Sequence, residues 1–104
     1  MARLYPHSHY AADSRAWMIY IRNQLAHQQL LIAQFYYDHG AYVAAINRAN
    51  IIVTRLQRAP AVEPALALLV KSYRKLNVLK DANDNLNILK LNFPHSKYLK
   101  KLEK

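Results

Sequence analysis

Shifting the sequence against itself by 37 residues brings two stretches into register, and this self-similarity limits the architecture more than any other feature. Ile32, Ala33 and Tyr36 fall on Leu69, Val70 and Tyr73. Gly40 falls on Asn77, and these are the two residue types that best tolerate a left-handed turn. Tyr42, Ala45, Ala49, Ile52 and Leu56 then fall on Leu79, Ala82, Leu86, Leu89 and Phe93, each pair keeping its apolar character. A unit of this length, with apolar spacing of three and four on both sides of a Gly or Asn, predicts a repeated helical hairpin. One hairpin cannot bury its own apolar face, so the core must come from stacking neighbours.

Helix boundaries follow from the punctuation. Ser8 predicts an N-cap, and nothing interrupts a helix from His9 to His39. That helix runs straight through Arg22, Asn23 and Gln24, about 45 Å long at ~1.5 Å per residue. Tyr10, Trp17, Ile21, Leu25, Ile32 and Tyr36 step by seven or four and predict its core stripe. Gly40, the only glycine, ends it. A second helix is expected from about Ala41 to Leu56, with the three residues beyond the usual 34-residue hairpin repeat placed in the Gln57–Ala61 connection. A third follows Pro60 and Pro64 to about Leu76, and a fourth runs from about Lys80 to Asn92, where Pro94 stops it. Ala45 and Ala82 are small enough for close helix approach, and Tyr36 and Tyr73 fill the space between helices. Tyr5-Pro6-His7-Ser8-His9-Tyr10 echoes Phe93-Pro94-His95-Ser96-Lys97-Tyr98. The expectation is an all-α hairpin solenoid: residues 1–8 as the end of a truncated upstream repeat, 9–57 as long helix and first hairpin, 58–94 as second hairpin, and 95–104 as a basic, frayed tail.

Charge is uneven. Residues 1–52 carry four basic and two acidic side chains, residues 53–104 eleven and four. The net charge of +9 favours an anionic partner. With no cysteine there is no disulfide framework and no thiolate metal site. No apolar run reaches membrane-spanning length. Asp81 and Asp84 are the only acids paired at helical spacing, and beside Lys80 at a helix start they suit the helix dipole better than acid–base work. The histidines at 7, 9, 27, 39 and 95 make no i, i+4 pair, so no metal is expected, and Ser14, Thr54 and Ser72 have no companion acid and histidine. No enzyme and no cofactor are predicted. Lys71, Arg74, Lys75, Lys80, Lys90 and the lysines from 97 onward give a nucleic-acid reading some support, yet most tyrosines fall on core positions rather than on stacking platforms. An adaptor holding an acidic peptide in its concave groove is a further alternative.

The second helix carries the candidate contact. Tyr42, Ala45, Ala49, Ile52 and Leu56 turn inward, leaving Ala44, Asn47, Arg48, Ile51 and Arg55 on the opposite side. An isoleucine among arginines is the composition of a small contact patch.

Four segments carry a family resemblance: YPHSHYAADSR at 5–15, AQFYYDHGAYVAAINRANIIV at 33–53, PAVEPALALLVKSYRKL at 60–76 and LNFPHSKYL at 91–99. Together they resemble the C-terminal half of the BamD family, tetratricopeptide lipoproteins of the outer-membrane β-barrel assembly machine. The resemblance implies a scaffold without catalysis, in the periplasm at the inner face of the outer membrane. Its implied partners are the POTRA region of the barrel-forming subunit BamA, the machine's other lipoproteins and unfolded outer-membrane protein. It also implies that Arg48 pairs with an acidic POTRA residue, and that membrane contact runs through a lipid anchor missing from this sequence. Leu56-Gln57-Arg58-Ala59-Pro60 departs from the family's Tyr-Pro and hydroxyl cap.

Overall fold

The computed structural model describes residues 8–102, with side chains from residue 14 onward. Among the described residues every regular element is a helix: α1 (Ser8–Asp38), α2 (Tyr42–Arg55), α3 (Val62–Lys75), α4 (Leu79–Asn92) and α5 (Lys97–Leu102). The junction at Tyr5, Pro6 and His7, and with it the expected end of an upstream repeat, lies outside the described residues. α1 and α2 form one antiparallel hairpin, α3 and α4 the next, and α3 packs on α2 to join them. The architecture is the expected all-α hairpin solenoid. None of these helices is long and apolar enough to cross a membrane.

The repeat extends to individual hydrogen bonds. Gly40 has φ +81° and Asn77 φ +64°, both left-handed. Gly40 N donates to Tyr37 O and Ala41 N to Tyr36 O, while Asn77 N donates to Arg74 O and Val78 N to Tyr73 O. Both turns are therefore Schellman closures, in which two amides satisfy carbonyls the ending helix leaves unpaired. The links after the hairpins also match. Leu56 N, Ala59 N and Val62 N donate to Ile52 O, Leu56 O and Ala59 O; Phe93 N, Ser96 N and Leu99 N donate to Leu89 O, Phe93 O and Ser96 O. The Leu56–Pro60 segment, despite its unusual sequence, makes the same link as Phe93-Pro94-His95-Ser96, because backbone groups carry it.

That equivalence corrects the expected frayed tail. Leu99 and Leu102 occupy the places of Val62 and Ala65 and are 8% and 5% exposed. Arg74 Nη1 donates to Leu102 O at 2.6 Å, tying the end of α3 to the end of α5. The segment is a short helix, α5, docked on α3 and α4 and matching the start of α3 in the repeat.

α1 runs unbroken through Arg22-Asn23-Gln24, as expected, but buries a different stripe. Ala26 and Ala33 are buried, and Leu30 and Tyr37 pack against the core. Trp17, Ile21, Leu25 and Ile32, expected inside, are exposed, Trp17 to 61%. At about 100° per residue the two stripes lie on opposite sides of the helix. α1 is thus apolar on both sides, with one of them open. Tyr37 rather than Tyr36 fills the inter-helix space, edge-on to Tyr42 at 5.3 Å. α3, at the equivalent repeat position, has both sides covered: Val62, Ala65, Leu66, Ala67, Leu68, Leu69, Val70 and Ser72 are all buried.

Candidate docking surface

α2 contains no acidic residue, and its inward side is fixed by Ala45, Ile46, Ala49 and Ile52. Their burial against α1 and α3 places the remaining positions. Asn47 and Arg55 are exposed, while Ala44, Arg48 and Ile51 are half-buried. Ala44, Arg48, Ile51 and Arg55 follow one flank of α2, and Asn47 stands nearer the crest. The five positions therefore form a flank and a crest rather than one flat outward face. Arg48 leans toward the leading helix, and its Nη1 donates to Gln29 Oε1 at 3.3 Å. One donor of the guanidinium is so occupied, and four remain.

The lysines that supported a nucleic-acid reading are partly committed elsewhere. Lys71 Nζ sits 5.0 Å from the centre of the Tyr37 ring, and Lys97 Nζ 5.4 Å from that of Tyr98. Those ring faces are occupied by cations of the chain itself, at roughly 0.5–1 kcal/mol each for exposed pairs. Among the described residues no group of three or more His, Asp or Glu side chains converges on a point that could hold a metal.

On the other flank of α2 lies a cleft that sequence reasoning missed. Val53, Gln57, Arg58, Val62, Leu66, Ile88, Asn92 and Phe93 line it, bringing the C-terminal ends of α2 and α4 over the start of α3. One signal was present: Ile88 and Asn92 stand 37 residues after Ile51 and Arg55. The packing of one hairpin on the next, which turns that strip into a wall, is not written in either helix alone.

Stacked helical hairpins, each packed on its neighbour, define a helical-repeat fold. The chain matches the outer membrane lipoprotein family YfiO over residues 1–89 and belongs to that family. It is 38% identical over 100 residues to the outer membrane protein assembly factor BamD of Neisseria meningitidis serogroup B, covering 96% of this chain and 38% of the relative. BamD of Buchnera aphidicola subsp. Acyrthosiphon pisum is 35% identical over 88 residues, or 85% of this chain and 36% of the relative. BamD of Haemophilus influenzae is 34% identical over 92 residues, 88% of this chain and 35% of the relative. The chain spans little more than a third of the length of these relatives.

Proposed function

We propose that this chain is a non-catalytic docking segment of an outer-membrane protein assembly factor, working in the periplasm at the inner face of the outer membrane. In this reading it holds the POTRA region of the barrel-forming subunit BamA, with the machine's other lipoproteins nearby, while the barrel substrate folds. The observation that carries it is the acid-free flank of α2, where half-buried Arg48 and Ile51 stand beside exposed Arg55. Membership of the outer membrane lipoprotein family supports the setting. A desolvated guanidinium can meet a partner carboxylate with two parallel hydrogen bonds, which an ammonium cannot reproduce.

Titration calorimetry of the chain with an isolated POTRA segment at moderate salt tests the reading. Arg48→Ala is expected to weaken binding by about 2 kcal/mol, with Arg48→Lys restoring only part. The helical spectrum should not change, because among the described residues Arg48 makes one long hydrogen bond, to Gln29. Unchanged affinity in Arg48→Ala rejects this flank as the docking site.

A further inference from the structure

The cleft between α2 and α4 has a volume of about 550 Å³. Its floor is apolar, built from the buried side chains of Val62 and Leu66 on α3. Val53, Ile88 and Phe93 form its walls, and Ile88 is 39% exposed, an apolar surface left to water. Gln57, Arg58 and Asn92 make the rim. Gln57 Nε2 donates to Thr54 O at 3.2 Å and is held there.

Charge decides what fits. Among the described residues no carboxylate lines the cleft; Asp84, one turn before Ile88, and Glu63, next to Val62, stand outside the lining. From residue 41 to residue 61 the chain carries Arg48, Arg55 and Arg58 and no acid at all. An apolar floor beside the exposed Arg58 guanidinium favours an apolar side chain with a carboxylate beside it, and disfavours a cationic one. Val53 lies two residues after Ile51, about 200° around α2, so the cleft and the flank described above are opposite sides of one helix. A partner straddling α2 meets both.

We propose that this cleft is a second docking slot, which receives one large apolar side chain flanked by acidic residues from a protein partner. The proposal rests on the docking reading for the partner being a protein, but its test is separate. The probes are three acetylated, amidated tripeptides: phenylalanine between two glutamates, phenylalanine between two lysines, and glycine between two glutamates. Each is titrated into the ¹⁵N-labelled full chain and followed by amide chemical shifts.

The glutamate-flanked phenylalanine should give saturable shifts confined to residues 53–58, 62–66 and 88–93. The lysine-flanked peptide should bind about tenfold more weakly, and the glycine peptide should not saturate. Arg58→Glu, at an exposed site, should reverse the preference between the two phenylalanine peptides. Ile88→Gln should abolish saturation while the rest of the spectrum stays in place. Equal binding of the two phenylalanine peptides overturns the proposal. So do shifts centred on the open side of α1 near Trp17, or a preference that survives Arg58→Glu. Arg48→Ala should leave the peptide shifts unchanged. A failed POTRA titration with intact peptide binding therefore removes only the earlier reading, and the converse removes only this one.

Discussion

Leu31 and Leu68 are the same amino acid at the same place in the repeat, 37 residues apart, yet Leu31 is 56% exposed and Leu68 is 2% exposed. Truncating each to alanine turns that contrast into a measurement. At Leu68 the side chain sits in α3 with both sides of the helix covered, so removing it forfeits the transfer free energy and leaves a cavity. The expected loss is about 3 kcal/mol. At Leu31 less than half of the roughly 2 kcal/mol available from burying a leucine is in play, and alanine returns ~0.2 kcal/mol of helix propensity. The net loss there should be about 0.5 kcal/mol. For a domain of this size each kcal/mol moves the midpoint by roughly 4–8 °C, so Leu68→Ala should lower it by about 12 °C or more and Leu31→Ala by about 2–4 °C. Thermal unfolding followed at 222 nm, at low micromolar chain, makes the comparison directly. Equal losses at the two sites would refute the burial argument, because they would require α1 to be covered as α3 is.

Gly40→Ala should lose about 1 kcal/mol in urea unfolding: an added Cβ meets nothing within 4 Å, so the penalty is the left-handed backbone alone. Ser72→Ala should raise the thermal midpoint by a few degrees, since Ser72 Oγ is fully buried without a hydrogen-bond partner and such a group costs about 1 kcal/mol or more. Leu99→Ala should lose about 2 kcal/mol and speed amide exchange in α5, where a merely frayed tail would show neither effect.

How much of this was legible in the sequence differs from element to element. The hairpin turns were readable because Gly40 and Asn77 announce a backbone conformation that few residues accept. The bounds of α1 to α4 were readable because apolar spacing and proline constrain them locally. The core side of α1 was not. A helix with two apolar sides has one period and two phases, and the bulkier stripe, Trp17 to Ile32, suggested the wrong one. The buried stripe relies on Ala26 and Ala33, whose small side chains matter because they let helices approach rather than because they are greasy. The docking of α5 was hidden for a related reason: two leucines among four lysines look solvated until the preceding hairpin supplies a surface. On the candidate flank, position around α2 was legible, but the lean of Arg48 onto Gln29 was not, because it depends on where α1 lies. The cleft beyond it needed three helices at once.

The open side of α1 also makes the stability of this chain a matter of mass action. A surface carrying Trp17, Ile21, Leu25 and Ile32 gains free energy from anything that covers it in the folded state and ignores the unfolded one. Each such ligand adds RT ln(1 + [L]/Kd), about 2.7 kcal/mol at a hundredfold excess over Kd. A melting temperature for this chain is therefore a number attached to a concentration, and to the company the helix keeps.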